Sequence, residues 1–225
     1  MHKEKYPGTI FMRPDITVID YGVGNLKSIQ RAFEKVGANV NFGTTPDAIL
    51  SATHLVLPGV GAFGDGMNGL RAIGVIDGIT EYIQAGKPLL CICLGMQMLL
   101  DSSEEYGVHN GLGYIPGQVK KIFQWDNSLL VRKIPHIGWT RLYHPTLNPD
   151  WSDSVLSGIS KNDYFYFIHS FLAYPKNDED LLAESVYQGL RMTAAIKKGN
   201  VTGLQFHPEK SGECGLKVLD NFLRI

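Results

Sequence analysis

The stretch Lys87-Pro-Leu-Leu-Cys-Ile-Cys-Leu-Gly-Met-Gln97 decides the predicted fold of this 225-residue chain. Residues 88–93 form a continuous apolar run, which is typical of a strand buried on both faces of a parallel sheet. A helix is predicted directly behind it over residues 95–103, and Gly95 allows the sharp turn between the two. A strand that leads straight into a helix indicates an α/β fold.

The sequence before this stretch alternates apolar strand-length runs with segments of helical periodicity. The predicted strands are residues 16–20 and 54–57, and the predicted helices are residues 25–36, a short helix capped by Thr45 and Pro46, and residues 66–85, with breaks near Gly74 and Gly78. This alternation, with short connections, predicts an open, mostly parallel sheet with helices on both faces.

The second half of the chain reads as consecutive strands followed by one helix. The predicted strands are residues 115–122, 131–143, 164–174, 181–187, 192–197 and 201–207, and an amphipathic helix is predicted over residues 212–225. Such strands form either an antiparallel extension of the same sheet or a second sheet packed on it. We therefore predict a single domain over residues 16–225. Residues 1–15 lack the apolar segment of a secretory signal and are predicted to be a tail outside the fold.

Composition excludes several classes of function. The chain has 21 Lys and Arg against 22 Asp and Glu, without a basic run that would indicate a nucleic-acid partner. Its apolar runs are strand-length, so no membrane span is predicted. Three cysteines, Cys91, Cys93 and Cys214, cannot all pair, which favours the reducing cytoplasm. They are not arranged as metal ligands, and neither a metal nor an organic cofactor is expected.

Cys93 is the candidate nucleophile. It lies where a predicted strand passes into a helix, which is the geometry of a nucleophile elbow. The helix amino terminus would stabilise a thiolate, and the N–H of Leu94 would be free to bind an oxyanion. The alternative is that Cys93 is a small buried core residue, as most free cysteines are. For Cys91, two residues earlier on the strand, that structural interpretation is preferred.

The segment Gly203-Leu-Gln-Phe-His-Pro-Glu209 supplies a candidate base and its orienting carboxylate. A strand delivers His207, Pro208 ends the strand pairing, and Glu209 is close enough to bond one imidazole nitrogen. A nucleophile, a base and an orienting acid together make up the logic of a catalytic triad. A lone histidine at a strand end is usually structural, but its spacing to Glu209 after an elbow cysteine favours catalysis.

Glycines at the end of the predicted strand 54–57 form the third element, Leu57-Pro-Gly-Val-Gly61. They lie at the same edge of the sheet as Cys93 and could turn a backbone N–H toward it. Gly59, Gly61 and Gly64 also match the dinucleotide-binding fingerprint. That fingerprint needs an acidic residue after a following strand, whereas a helix is predicted here, so dinucleotide binding is not expected.

Together these motifs resemble the class I (triad) glutamine amidotransferases and, within them, the glutaminase subunits of imidazole glycerol phosphate synthases. The resemblance runs from residue 20 to the carboxyl terminus. The matching segments are Asp20-Tyr-Gly-Val-Gly-Asn-Leu26, Pro58-Gly-Val-Gly-Ala-Phe63, Ile92-Cys-Leu-Gly-Met-Gln97, Ser103-Glu-Glu105, Gly111-Leu-Gly113, Pro135-His-Ile-Gly-Trp139, Tyr166-Phe-Ile-His-Ser170 and Gln205-Phe-His-Pro-Glu-Lys-Ser211.

The resemblance implies a role for each matching site residue. It implies that Cys93 is the nucleophile, that His207 is the acid/base and that Glu209 orients His207. The oxyanion hole would be formed by Leu94 and the Gly59–Val60 peptide. Glutamine would be held by Gln97 and by the backbone near Ser170 and Phe171. Two departures from the family stand out. Cys91 replaces a usual glycine, and Thr140 replaces the commoner asparagine, which leaves the partner's identity more open.

The function implied by the resemblance is hydrolysis of glutamine to glutamate and ammonia. The ammonia would pass to a (β/α)₈-barrel cyclase, in a heterodimer that makes imidazole glycerol phosphate and AICAR in histidine biosynthesis. One alternative is a paralogue that feeds a different synthase, such as one forming an amidine on a surface-polysaccharide sugar. Another is a catalytically silent structural subunit, against which the complete triad argues.

Overall fold

The computed structural model describes residues 14–124 and 131–225. The strands in this part of the chain are β1 (Asp15–Ile19), β2 (Asn39–Gly43), β3 (His54–Leu57), β4 (Leu89–Ile92), β5 (Ser102–Ser103), β6 (His109–Asn110), β7 (Gly117–Lys121), β8 (His136–Arg141), β9 (Tyr164–His169), β10 (Phe171–Pro175), β11 (Leu181–Tyr187), β12 (Leu190–Lys198) and β13 (Val201–Leu204). The α-helices are α1 (Leu26–Lys35), α2 (Pro46–Ser51), α3 (Phe63–Ala72), α4 (Ile76–Gln84), α5 (Leu94–Met98) and α6 (Gly212–Phe222).

The central sheet contains seven strands in the order β11-β12-β13-β4-β3-β1-β2. Neighbours from β13 to β2 are parallel, whereas β12 and β11 pair antiparallel and extend one edge. The predicted open, mostly parallel sheet with an antiparallel extension is confirmed. Because β3, β4 and β13 are adjacent and parallel, their carboxyl ends meet at one edge of the sheet.

The second half of the chain also builds two smaller sheets, so both predicted arrangements occur. One has four strands in the order β10-β7-β5-β6, and the other is the antiparallel pair β8–β9. The predicted strand over residues 164–174 is divided at Ser170 between these sheets, because β9 pairs with β8 while β10 pairs with β7.

Helices cover both faces of the central sheet, as predicted. The apolar side chains of α1 and α6 share one buried cluster with β1, while α2, α3, α4 and α5 share a second cluster with β3. Phe33 of α1 meets Phe222 of α6 edge to face, with ring centroids 6.3 Å apart. Tyr82 of α4 is completely buried in the second cluster. Full burial of one such side chain contributes roughly 1.5–3 kcal/mol.

The helix predicted over residues 95–103 is wrong in length, because α5 ends at Met98. The segment after it competes for its carbonyl groups: the N–H of Leu112 bonds Met98 O at 2.8 Å, and the N–H of Tyr114 bonds Leu99 O at 2.9 Å. A Cβ on Gly111 would lie 2.1 Å from the carbonyl oxygen of Leu100, so only glycine permits this approach. Residues 102 and 103, which the prediction placed in the helix, form β5 instead.

The helical region predicted over residues 66–85 breaks only once. Gly74 adopts φ 68° between α3 and α4, whereas Gly78 lies inside α4, where an added Cβ would lie 3.4 Å from Cα of Pro46. The sequence pattern also misses β2. Most of the β2 residues are exposed at the edge of the sheet, so they lack the apolar run of a buried strand.

Residues 1–13 of the predicted tail lie outside the described residues. Asp15 already belongs to β1, and the carbonyl of Pro14 accepts a hydrogen bond from the N–H of Asn39 at 3.0 Å. Regular pairing therefore begins one residue before the predicted boundary, and the single domain over residues 16–225 stays a prediction.

Candidate active site

Cys93 lies between β4 and α5 in a strained backbone conformation, with φ 54° and ψ −109°. Such a conformation costs about 1–3 kcal/mol for a non-glycine residue and persists only where its surroundings enforce it. Close packing does so here, because a Cβ on Gly95 would lie 2.1 Å from Leu57 O, and one on Gly203 would lie 2.6 Å from Met96 Cγ. These glycines let α5 sit against the sheet and lift Cys93 above its edge.

His207 and Glu209 form a buried pair beyond the end of β13. Nδ1 of His207 lies 2.7 Å from Oε1 of Glu209, and their side chains are 3% and 1% exposed. Among the described residues, Nε2 of His207 and Oε2 of Glu209 are buried without a hydrogen-bond partner. Burial lowers the pKa of His207, but the proximity of Cys93 and the bond to Glu209 outweigh it and raise that pKa above its ordinary value. This favours an imidazolium, which stabilises a thiolate.

The thiol and the imidazole open into one cavity of about 340 Å³, a size typical of small-molecule sites. The lining residues are far apart in the sequence, and the fold brings them together at the carboxyl edge of the central sheet. They are Val60, Gly61, Cys93, Leu94, Gln97, Glu105, Pro135, Ile168, His169, Ser170, Phe171, His207 and Lys210. The cavity thus combines a nucleophile, a base and one charged side chain of each sign.

The predicted oxyanion donors are adjacent, but the Gly59–Val60 peptide is turned the other way. The N–H of Leu94 donates to the carbonyl of Gly59 at 3.3 Å. This peptide therefore points its oxygen, and not the N–H of Val60, at the place where an oxyanion would bind. Gly59 has no room for a side chain, since a Cβ there would lie 2.8 Å from the N atom of Gly95.

The predicted glutamine-binding residues line the cavity and bond one another. Nε2 of Gln97 donates to Phe171 O at 3.1 Å and to Oε1 of Gln205 at 2.9 Å. Both amide hydrogens of Gln97 are used, which leaves its own oxygen to accept a hydrogen bond from a ligand. Ser170 also lines the cavity, at the division between β9 and β10.

Sequence reasoning missed three polar residues of this site. Glu105 accepts a hydrogen bond from the N–H of Phe63 at 2.8 Å, and its place in the quoted Ser103-Glu-Glu105 segment was a usable signal. Gln205 lies two positions before His207, so the strand periodicity could have placed both on one face. His169 lies in the quoted segment Tyr166-Phe-Ile-His-Ser170, but nothing in that segment indicates its contact with His136, which is distant in the sequence.

His169, which lines the cavity, forms a buried pair with His136. Its Nδ1 lies 3.0 Å from Phe171 O and its Nε2 lies 3.1 Å from Nδ1 of His136, whose Nε2 lies 3.0 Å from Oγ1 of Thr140. A carbonyl only accepts, so Nδ1 of His169 carries the proton and donates to Phe171 O. In the neutral pair, Nδ1 of His136 then donates to Nε2 of His169, and the Thr140 hydroxyl donates to Nε2 of His136. Thr140, where the family resemblance leads us to expect asparagine, thus orients His136.

Acid is expected to destabilise the fold through His169. Burial lowers its pKa to about 3, and that of His136 to about 4, so the unfolded chain binds more protons than the folded chain as pH falls below the ordinary histidine value. Unfolding free energy therefore falls on acidification, for His169 by on the order of 2 kcal/mol at pH 5. Urea unfolding at pH 7.5 and 5.0 should show a smaller acid loss in His169→Gln than in the parent. An equal loss in both proteins would contradict this assignment.

Cys93 is expected to be the first cysteine alkylated at neutral pH. Burial raises the pKa of Cys91 well above its ordinary value, and burial with the charge of Asp163 raises that of Cys214. Cys93 instead opens to the cavity beside His207, where a thiolate is stabilised. Peptide mapping by mass spectrometry after brief iodoacetamide treatment measures the order. Label that appears first on Cys214 would count against the prediction.

Metal and membrane sites are absent from the part of the chain that the structure describes. In residues 14–124 and 131–225, no three His, Cys, Asp or Glu side chains are grouped closely enough to hold a metal ion. No helix among these residues is long and apolar enough to cross a membrane.

The amino-acid sequence is similar to those of known proteins over nearly its whole length. The family model described as "Glutamine amidotransferase class-I" matches residues 17–225. The imidazole glycerol phosphate synthase subunit HisH 1 of Legionella pneumophila (strain Lens) is 48% identical over 210 residues, which cover 93% of this chain and 99% of that protein. The corresponding HisH subunit of Wolinella succinogenes is 42% identical over 212 residues, covering 93% and 99%.

Solved structures share the fold. The structure of PurLQS from Thermotoga maritima contains a chain that matches with a TM-score of 0.71 and 21% identity, covering 95% of this chain and 99% of that chain. A structure described as a glutamine amidotransferase matches with a TM-score of 0.69 and 15% identity, covering 93% and 99%. At this identity the likeness concerns the fold alone.

Proposed function

The chain belongs to the class I glutamine amidotransferases, and we propose that it is the glutaminase subunit of an imidazole glycerol phosphate synthase. The observation that carries the proposal is the cavity in which a strained Cys93 opens beside the buried His207–Glu209 pair. The relatives named as HisH subunits, at 48% and 42% identity over nearly their whole length, support the histidine pathway. They give no support to a synthase that modifies a polysaccharide sugar.

The chemistry begins with proton transfer from the Cys93 thiol to Nε2 of His207, which has no other hydrogen-bond partner among the residues that the structure describes. The thiolate adds to the carboxamide carbon of glutamine, and backbone N–H groups bind the oxyanion. His207 then protonates the leaving nitrogen, so ammonia departs and a glutamyl thioester remains. A water molecule deprotonated by His207 releases glutamate. Glu209 holds the imidazole and stabilises its charged form.

The cavity wall suits the remaining atoms of glutamine. The oxygen of Gln97 and the carboxylate of Glu105 are acceptors for the α-ammonium group, and the backbone at Ser170 and Phe171 forms the opposite wall. Two hydrogen bonds order this wall, since Phe171 O accepts from both Gln97 and His169. A fixed wall lets binding align the carboxamide with the sulfur.

The partner surface lies at the mouth of the cavity, on the β8–β9 pair. Ile137 and Trp139 of β8 are 54% and 53% exposed, and Ile137 pairs across the strands with Ile168, which also lines the cavity. Trp139 pairs with Tyr166, over which the ammonium group of Lys210 lies 5.8 Å from the ring centroid. Exposed aromatic side chains beside a cavity are typical of interaction surfaces. A (β/α)₈-barrel cyclase docked here would receive ammonia directly.

We infer the cytoplasm as the compartment, because all three cysteines are free in the structure and a reducing environment keeps them so. Complementation tests the pathway. A strain that lacks its own glutaminase subunit of imidazole glycerol phosphate synthase, grown without histidine at low ammonium, should grow when it receives this chain with its cognate cyclase. The Cys93→Ala variant should not restore growth. If the wild-type chain releases glutamate but never restores growth, the paralogue reading is favoured.

A further inference from the structure

Gln205 is a buried amide beside the nucleophile that the triad mechanism does not use. It follows β13 directly and is completely buried. Its Nε2 lies 3.7 Å from Sγ of Cys93, within the range for a hydrogen bond to sulfur. A buried amide is rarely left without partners, because an unpaired donor costs free energy. The partners of Gln205 therefore decide what it presents to the sulfur.

The orientation of the Gln205 amide follows from one backbone carbonyl. Phe171 O can only accept, so the group of Gln97 that lies 3.1 Å from it must be the NH₂ group. The same NH₂ group lies 2.9 Å from the Gln205 side chain, which must present its oxygen there. The NH₂ group of Gln205 is consequently directed at Cys93. The chain of bonds runs from the sulfur to the glutamine-binding wall.

The sulfur of Cys93 has a second neighbour of opposite character. The carbonyl oxygen of Ile168 lies 3.9 Å from Sγ and can accept only from the neutral thiol. The N–H of Gln205 is a donor, and a donor stabilises the negative thiolate more than the thiol. With His207 as the proton acceptor, the two neighbours bias the sulfur in opposite directions. Gln205 is the one that favours the reactive form.

We propose that Gln205 is a further catalytic residue, which donates an N–H to the sulfur of Cys93 and stabilises the thiolate that attacks glutamine. The inference rests on the proposed function, because it takes Cys93 as the nucleophile. Gln97 acts as a positioning residue, since its amide orients that of Gln205. Displacement of the glutamine-binding wall at Phe171 would therefore also reach the sulfur.

The test measures thiolate formation without any turnover. Iodoacetamide alkylation of residue 93 is followed by mass spectrometry from pH 5 to 10 in the full chain and in Gln205→Met, which keeps the length and removes the donor. We expect the midpoint of the rate–pH curve about one unit higher, and alkylation about tenfold slower at pH values below both midpoints, because loss of one hydrogen bond to a charged group changes its equilibrium by about this factor. The plateau rate at high pH should stay within about twofold, which shows unchanged access to the sulfur.

Two further variants keep the test decisive. Gln205→Glu places a carboxylate beside the sulfur and should raise the midpoint further. Thr202→Val, a buried polar-to-apolar change on β13, should leave the curve in place. An unchanged midpoint in both Gln205 variants, with folding verified by thermal unfolding, would overturn the proposal. Retention of glutaminase activity by Cys93→Ala would instead overturn the proposed function, so the two failures are distinguishable.

Discussion

Cys93→Ala is expected to abolish glutamine-dependent synthesis by the reconstituted heterodimer and to leave synthesis from added ammonium salts intact. The Cys93 thiol is the protein group that attacks glutamine in the proposed mechanism, so alanine cannot form the thioester. The loss should be on the order of 10⁴-fold or more, as for removal of a triad nucleophile elsewhere. In the proposed heterodimer the acceptor of ammonia lies on the partner, so the change should not reach it.

A matched control comes from the same strand. Cys91 is completely buried in β4 and faces the second core cluster, so Cys91→Ala removes a thiol without touching the cavity. It should leave both activities within about twofold, apart from a stability loss of roughly 1 kcal/mol. Synthesis from glutamine and from ammonium chloride should be measured at equal, verified subunit association. Equal loss of both activities in Cys93→Ala would show that the variant disturbs the complex and not the glutaminase step.

The parallel core of the fold was predictable because its signals are local. The apolar runs of β1, β3 and β4, and the helical periodicity of α1 and α6, do not depend on distant residues. The errors occur where tertiary contacts override the local sequence pattern. Leu112 and Tyr114 take the carbonyls that would extend α5, and β2 forms on a mostly exposed edge only because β1 offers its backbone.

The candidate site divides in the same way. The proximity of Cys93, His207 and Glu209 was predictable because they lie beyond the carboxyl ends of β4 and β13, which are neighbours in a predictable sheet. The roles of Gln205 and Thr140 were not, since each depends on one side-chain contact: Gln205 with the sulfur 112 positions away, and Thr140 with His136. The turn of the Gly59–Val60 peptide is likewise invisible in the sequence, because glycine permits either orientation.

The isolated chain is expected to be a poor glutaminase because of the orientation of the Gly59–Val60 peptide. The N–H of Leu94 is already bonded to Gly59 O, so neither predicted donor is available to an oxyanion at rest. Loss of one oxyanion-hole donor lowers turnover by ~10²–10³-fold. We expect glutamate release to rise by at least this factor when the partner synthase and its acceptor ligand are added. Such control would prevent release of ammonia when nothing can receive it.

We expect the activating movement to be a half-turn of the Gly59–Val60 peptide, which would change ψ of Gly59 and φ of Val60. Val60 is not among the described residues with positive φ, so the half-turn would bring it into the left-handed region. That region costs roughly 1–2 kcal/mol for a residue with a Cβ, and more for a β-branched one. The resting orientation is therefore favoured by the side chain of Val60 itself. Docking on Ile168 and Lys210, close to this loop in the cavity, would have to supply the difference.

Val60→Gly consequently should raise the basal activity of the isolated chain by about tenfold, because glycine enters the left-handed region without that cost. The variant should also reduce the ratio of stimulated to basal activity. Val108→Gly, at an 83% exposed loop position, controls for the general effect of a valine-to-glycine change. Glutamate release should be measured for each chain alone, with partner, and with partner plus acceptor ligand. Equal rates for the parent in all three conditions would dispose of the gating idea, whereas stimulated activity without a rise in Val60→Gly would place the barrier elsewhere than in this peptide.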